Sequence, residues 1–221
     1  MISIRFALNP RFARISNLFI VSIMLIAFVG VLQAAAAPET SWVVVERLAA
    51  GAGVGPEDIA FDAEGRVYAS MGDGKVMRFQ PDGSQPEVFA ETPTRPLGLR
   101  FDAEGNLIVC DGQLFSIAPD GTVTMLSDEA EGVPLNLANG LDIAADGTIY
   151  FTDSSIQFPR AEIMKEFTQP GPNGRLLAYE PATKTTRLVL DNLWFANGVI
   201  VSPDQSFLLV AEATAARVTR Y

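Results

Sequence analysis

The sequence predicts an all-β protein: a β-propeller that follows an N-terminal apolar targeting helix. One pattern of apolar strand, acidic turn, apolar strand and acid recurs four times along the 221 residues. A second pair of apolar runs follows the first three copies, which gives four strands in a unit of about 40 residues, as in propeller blades. Ahead of these units, the chain begins with basic residues and a long apolar run.

The N-terminal segment, residues 1–37, has the layout of a secretory signal. Three arginines and no acid lie within residues 1–14, the run 18–32 is almost entirely apolar, and four alanines at 34–37 precede Pro38. Because the apolar run is short for a bilayer span, we expect either a cleaved signal peptide or an uncut signal anchor. Both place the remainder on the non-cytoplasmic side, as a periplasmic or extracellular protein or one that is anchored to the membrane.

The composition excludes several classes of function. The N-terminal segment holds three arginines and no acid, so its removal takes the formal net charge from −10 to −13, which argues against nucleic acid as a partner. The single cysteine, Cys110, excludes an internal disulfide and a multi-cysteine metal site, and we expect it to be a small buried residue.

The chain contains no histidine. A Ser–His or Cys–His couple and an imidazole-based zinc site are therefore excluded. Chemistry is left to carboxylates, amides, hydroxyls, lysines or a bound ion. In an exported protein, a hard cation held by oxygen ligands is the leading candidate.

The four copies begin at Glu57, Leu97, Asn139 and Asn197, at intervals of 40, 42 and 58 residues. The last interval is long because a polar insertion, residues 156–174, interrupts it, and such insertions usually lie on one face. Each copy reads as a β-hairpin with a short turn between runs rich in β-branched and aromatic residues. The turns are Glu64–Gly65, Glu104–Gly105, Asp146–Gly147 and Asp204–Gln205.

Residues 38–221 therefore predict an incomplete propeller of about three and a half blades. The fourth unit stops inside its third strand, at the sequence ARVTRY. A ring must close to bury its terminal blades, so we expect roughly 80–130 further residues at this repeat length. The alternating segment 41–48 is predicted to supply a closing outer strand.

Aligning the copies places Glu57, Leu97, Asn139 and Asn197 in one column, at the entry to the innermost strand. These positions converge on the central channel of a propeller. One carboxylate and two carboxamides are the hard oxygen ligands that Ca²⁺ takes. The alternative is that the two Asn-Gly pairs are turn residues in the left-handed conformation. Glu57, followed by Asp58, has no such explanation.

Two further columns follow on the same strands and predict the packing of blade on blade. They are Ile59, Leu99, Leu141 and Val199, then Phe61, Phe101, Ile143 and Val201.

A last column closes the inner hairpin with Met71, Asp111, Asp153 and Glu212. Since the second strand runs antiparallel to the first, these acids are predicted to return to the channel mouth. There they would support the cation or orient water. The alternative is that each carboxylate accepts hydrogen bonds from turn amides.

Three segments closely resemble the strictosidine-synthase-like family and, more distantly, gluconolactonases and paraoxonases. They are RPLGLRFDAEGNLIVCD, NGLDIAADGTIYFTDSS and the run from Gly174 to Tyr221. The resemblance covers about residues 54–221. It implies a six-bladed propeller with calcium in the channel, and hydrolysis of lactones or esters in several branches.

On that resemblance, Glu57, Asn139 and Asn197 match metal ligands of the family, and Asp58 matches the acid beside the first ligand in paraoxonases. Three departures stand out. Gly140 occupies a position where paraoxonases carry Asp, and the paraoxonase histidine dyad has no counterpart. The catalytic glutamate of strictosidine synthase, and the final metal ligand, would lie beyond Tyr221.

Three functions compete. The first is a calcium-dependent hydrolase of lactones or esters, in which Glu57, Asn139 and Asn197 act on a small-molecule substrate through the ion. The second is a condensation of an amine with an aldehyde, as in strictosidine synthase, which depends on a glutamate in a later blade. The third is a non-enzymatic exported propeller that binds a partner on the face of the insertion. Fold alone does not separate them.

Overall fold

A computed structural model describes residue 51 and residues 53–221. The predicted targeting segment 1–37 and the alternating segment 41–48 lie outside the described residues. Within them, the fold is all-β, with four antiparallel sheets in a propeller arrangement, as the sequence predicts.

Blade 1 contains β1 (Ile59–Phe61), β2 (Val67–Ser70), β3 (Lys75–Phe79) and β4 (Glu87–Glu91). Blade 2 contains β5 (Leu99–Phe101), β6 (Leu107–Asp111), β7 (Gln113–Ile117) and β8 (Val123–Ser127). Blade 3 contains β11 (Ala138–Ile143), β12 (Ile149–Asp153), β13 (Gly174–Glu180) and β14 (Thr185–Leu193). Blade 4 has three strands, β15 (Ala196–Val201), β16 (Leu208–Glu212) and β17 (Arg217–Arg220). A ribbon of β9 (Glu129–Ala130) and β10 (Val133–Pro134) links blades 2 and 3.

Each blade is a meander, because its strands pair in sequence order through short turns. The innermost strands β1, β5, β11 and β15 lie next to one another in that order. Glycines at positive φ, such as Gly65 and Gly105, close the inner hairpins, since this backbone conformation carries no steric cost for glycine.

The core consists of apolar layers between neighbouring blades. Leu99 and Val109 pack against Val76 between blades 1 and 2, and Phe151 packs against Cys110 between blades 2 and 3. Cys110 is fully buried and carries a free thiol, as expected from the sequence. Burial raises the pKa of this thiol well above its usual range.

Two columns are predicted to pack blade on blade. The first column is buried in blades 2 to 4, as predicted, but neither column is buried in blade 1. Leu99, Leu141 and Val199 are buried, whereas Ile59 and Phe61 are 54% and 60% exposed. The physical reason is that a strand residue is buried only when a neighbouring blade covers its face. No blade among the described residues covers this face of blade 1.

Glycine also sets how closely the inner strands approach. A Cβ at Gly98 would lie 2.5 Å from the carbonyl oxygen of Asn139, and one at Gly140 would lie 2.5 Å from that of Asn197. Gly198, in the same column, has no described atom within 4 Å of the corresponding position.

We therefore expect Gly140→Ala to destabilise the protein by about 2 kcal/mol or more, because the added methyl forces two backbones apart. Gly198→Ala is the matched control, and its effect should stay within about 0.5 kcal/mol. Urea unfolding of both variants checks this. Equal midpoints for the two would contradict the close approach of β11 and β15.

Candidate metal centre at the start of the inner strands

The three predicted ligands line one cavity of about 220 Å³, at the points where the inner strands begin. Glu57 comes from blade 1, Asn139 from blade 3 and Asn197 from blade 4. The full lining is Glu57, Asp58, Gly98, Arg100, Asn139, Gly140, Leu141, Asn197, Gly198 and Val199. Leu97, the remaining member of the column, is instead buried in an apolar cluster with Leu137 and Phe195.

The two asparagines lie in β-bulges rather than turns. The register of β11 against β12 shifts between Ala138 and Leu141, so Asn139 and Gly140 together oppose one residue of β12. The same shift occurs in blade 4 between Ala196 and Val199. Asn139 and Asn197 are not among the residues with positive φ. The alternative of left-handed turns is therefore wrong, and each bulge re-aims an asparagine side chain.

Ser154 determines which end of the Asn139 carboxamide is bonded to the protein. The Ser154 hydroxyl donates its single proton to the carbonyl oxygen of Ala196 at 2.5 Å. Its oxygen must then accept from Asn139 Nδ2, which lies 3.0 Å away. No donor from the described residues reaches Asn139 Oδ1. The carboxamide oxygen is therefore free to act as a ligand.

Glu57 is the exposed member of the set. Its side chain is 40% exposed, and Oε2 accepts a charge-assisted hydrogen bond from Arg95 Nη2 at 2.9 Å. The Glu57 main chain is anchored, since its N–H donates to the carbonyl of Ser70 at 3.1 Å. The carboxylate is thus held at the cavity by a residue just ahead of β1, and its partner is a side chain from the loop between blades 1 and 2.

The donor set fits a hard cation such as Ca²⁺. One carboxylate side chain and two carboxamide side chains line a common cavity, and water can complete a coordination shell of six to eight oxygens. In the described part of the chain, no group of three or more histidine, cysteine, aspartate or glutamate side chains is placed to hold a metal ion.

Asp58 is used differently from its neighbour Glu57. Its Oδ1 accepts the N–H of Ile59 at 2.8 Å, and its Oδ2 accepts the N–H of Leu99 on blade 2 at 2.9 Å. The side chain thus joins the inner strands of two blades. It also lines the cavity, beside the predicted ligands.

Arg100 is a cavity residue that sequence reasoning missed. Its Nε lies 3.5 Å from Asp142 Oδ1, and its Nη1 lies 3.9 Å from Asp58 Oδ2. Asp142 in turn accepts the N–H of Val201 at 2.8 Å. The sequence carries a signal for this pair. Arg100 and Asp142 have opposite charges at matching positions of β5 and β11, where blades 1 and 4 carry Ala60 and Ile200.

The three acids that close the inner hairpins hold the fold together. Each is buried and accepts the N–H of the segment that enters its own blade: Thr94 to Asp111, Leu137 to Asp153, and Trp194 to Glu212, at 2.8 Å in each case. Each also pairs with an arginine: Arg160, Arg175 and Arg217 respectively. These contacts support the alternative of bonds to backbone amides, and none of them directs a carboxylate at the cavity.

The electrostatics of two of these acids differ. Burial raises the pKa of Asp153, and the bond from Arg175 offsets this only in part. Burial also acts to raise the pKa of Glu212, but hydrogen bonds from Arg217, Thr219 and the Trp194 N–H outweigh it and lower the pKa to about 2. Glu212 therefore stays ionised at neutral pH as a permanent partner of Arg217.

The insertion folds beside the cavity, on the face where the inner strands begin. It contains a 3₁₀ turn (Arg160–Glu162) and a short helix α1 (Lys165–Thr168). Ile163 packs on the apolar cluster of Leu97 and Phe195, and the ring of Phe167 lies 4.9 Å from that of Phe195. The part of the chain that the structure describes contains no helix with the length and hydrophobicity that crossing a bilayer requires.

Comparison with known proteins finds family models and relatives of the strictosidine synthase-like kind. The family model described as strictosidine synthase matches residues 139–221, and the model described as strictosidine synthase-like, N-terminal, matches residues 44–79. The chain is 37% identical over 174 residues to Protein STRICTOSIDINE SYNTHASE-LIKE 7 of Arabidopsis thaliana, covering 75% of this chain and 47% of that protein. It is 37% identical over 201 residues to the adipocyte plasma membrane-associated protein of Mus musculus, covering 83% and 48%.

Among solved structures, the chain is similar to a gluconolactonase from Xanthomonas campestris. The TM-score is 0.64 at 23% identity, covering 76% of this chain and 58% of the other. At that identity the likeness demonstrates the propeller fold alone. The chain spans about half the length of the curated relatives that it matches.

Proposed function

The chain belongs to the strictosidine synthase-like family, and on that premise we propose that it is a calcium-dependent hydrolase of lactones or esters. One observation carries the proposal. Oxygen-bearing side chains from three blades, Glu57, Asn139 and Asn197, line a single cavity. The bond network of Ser154 leaves the Asn139 carboxamide oxygen free.

Each of the cavity residues has a separate role in the proposed reaction. Glu57, Asn139 and Asn197 would hold the ion; when bound, it polarises the carbonyl group of the substrate. Ser154 keeps Asn139 in the orientation that presents oxygen. Arg100 offsets part of the charge of Asp58 and Asp142, which lie 3.9 Å and 3.5 Å from its guanidinium nitrogens.

Hydrolysis also needs a path for a proton. A water oxygen forms the new bond to the carbonyl carbon, the carbon–oxygen single bond of the ester or lactone breaks, and the leaving oxygen takes a proton. The chain has no histidine, so we assign the acceptance of the proton from water to a carboxylate. Asp58 lines the cavity and is not assigned to the ion, so we give it this role, and it would then return the same proton to the leaving oxygen.

The cellular setting is part of the same proposal. Residues 1–37 would direct the protein out of the cytoplasm, and would keep it on the membrane if they remain uncut. A relative named as plasma membrane-associated supports this placement. Exported compartments contain calcium at millimolar concentration, which is enough to occupy sites of modest affinity.

The test is turnover of a panel of lactones and aryl esters by the purified protein, with and without a calcium chelator. We expect turnover that chelator abolishes and added calcium restores. Turnover that chelator leaves unchanged would remove the ion from the mechanism. Calcium binding without turnover of any panel member would favour the non-enzymatic binding module.

A second candidate is the condensation of an amine with an aldehyde. The match of residues 139–221 to the model described as strictosidine synthase favours it. Incubation of the protein with an arylethylamine and an aldehyde, followed by mass spectrometry, distinguishes the two reactions. If the protein forms a condensation product derived from the imine and shows no lactone turnover, the condensing enzyme replaces the hydrolase as the proposed function.

A further inference from the structure

The loop that joins blades 1 and 2 brings a cation to the candidate ligand Glu57. Arg95 lies 38 residues from Glu57 along the chain, and its Nη2 donates to Glu57 Oε2 at 2.9 Å. The Arg95 side chain is 45% exposed, so this ion pair faces solvent at the edge of the cavity. An exposed pair of this kind contributes little to folding stability.

The backbone beneath Arg95 is, by contrast, firmly held. Arg160 of the insertion donates from Nη2 to the carbonyl of Arg95 at 2.7 Å and from Nη1 to Thr94 Oγ1 at 2.6 Å. The same Nη1 reaches the buried Asp111 at 3.1 Å. Asp111 also accepts the Thr94 N–H at 2.8 Å. The main chain of Arg95 is therefore fixed beside the cavity, which keeps its side chain within reach of Glu57.

We propose that Arg95 is the built-in counter-cation of Glu57 and weakens calcium binding at this site. The inference rests on the proposed function, because it takes Glu57 as a ligand of the ion. A bound divalent cation and the guanidinium would share one carboxylate, at a separation of a few ångströms. Their repulsion must be overcome each time the ion binds.

The size of the effect follows from Coulomb's law. A charge of +2 and a charge of +1 held roughly 6 Å apart at a wet surface repel by an energy that corresponds to about a tenfold change in affinity. Arg95 thereby sets the affinity in a range where calcium exchanges readily. It acts through the carboxylate of Glu57, which it would share with the ion.

Calcium titration by calorimetry tests the proposal on the intact protein and three variants. We expect Arg95→Gln to bind calcium roughly tenfold more tightly than the unaltered protein. Arg95→Lys retains the charge and should stay within about threefold of the unaltered protein. The matched control is Arg78→Gln, since Arg78 pairs with Glu87 at 2.7 Å on the outer strands of blade 1, and its affinity should not change.

The outcomes separate the two proposals. Tighter binding by Arg95→Gln alone supports the inference. Unchanged or weaker binding by Arg95→Gln overturns it and leaves calcium binding by Glu57 standing, with weaker binding meaning that Arg95 only orients the carboxylate. Absence of calcium binding by the unaltered protein and by Arg95→Gln alike overturns the proposed function together with this inference.

Discussion

Replacing Glu57 by Gln is expected to weaken calcium binding at least about 100-fold and to reduce lactone or ester turnover to background. Glu57 is the only carboxylate among the three candidate ligands, and the substitution removes its charge while preserving its shape. It also leaves Arg95 in place without its partner. A divalent ion would then face the carboxamides of Asn139 and Asn197, the amide of the new glutamine, and an unpaired guanidinium.

Calorimetry and a turnover assay on the same preparation measure both effects. The control is Glu87→Gln, which removes an equal charge from an outer strand, where Glu87 pairs with Arg78. Circular dichroism should show the same fold in both variants. If Glu57→Gln bound calcium as tightly as the unaltered protein, Glu57 would not be a ligand, and the cavity would lose its proposed chemistry.

Replacing Arg175 by Met is expected to destabilise the protein by about 3–5 kcal/mol, because it leaves a buried carboxylate without its counter-ion. Arg175 Nη2 donates to Asp153 Oδ2 at 2.6 Å, and neither side chain is more than 6% exposed. Nη2 also donates to the carbonyl of Pro134 at 3.0 Å. Burial already raises the pKa of Asp153, and Arg175 is the first of the groups that oppose the rise.

The pH dependence of the Arg175→Met variant has a defined sign. Without Arg175, the pKa of Asp153 in the folded state should rise further above its unfolded value. The variant should therefore gain stability as the pH falls, and lose it as the pH rises through that raised pKa. Urea unfolding at several pH values measures this.

Two comparisons complete the test of Arg175. Asp153→Asn in the Arg175→Met background should recover part of the loss, since no buried charge remains and the amide oxygen can still accept the Leu137 N–H. Arg187→Gln, which breaks an exposed pair with Glu180 at 3.5 Å, should cost less than about 0.5 kcal/mol. Equal stability of the Arg175→Met and Arg187→Gln variants would contradict a structural role for the buried pair.

Much of the fold could be predicted because its signals are local. Strand alternation and turns such as Glu104–Gly105 repeat at nearly constant spacing, so four units and their strand order follow from the sequence. The column containing Glu57, Asn139 and Asn197 could be identified for the same reason. Equivalent positions of repeated units converge on the axis of a propeller, whichever residues occupy them.

The partners of these residues could not be predicted in this way. Asp111 is paired with Arg160, 49 residues away and inside an insertion that has no counterpart in the other units. Ile59 has the pattern of a core residue but is 54% exposed. Periodicity indicates which face of a strand is apolar, and it carries no information about what covers that face.

The sequence by itself determined the repeat, the candidate ligand column and the exclusion of histidine chemistry, because these depend on residue type and spacing alone. Only the tertiary structure decided that Asn139 bonds to Ser154 through its amide nitrogen, that Asp111, Asp153 and Glu212 are turned toward backbone amides, and that Arg95 reaches Glu57. The physical reason is that a hydrogen bond or an ion pair depends on distances between side chains from separate blades. Those distances exist only after the blades have packed.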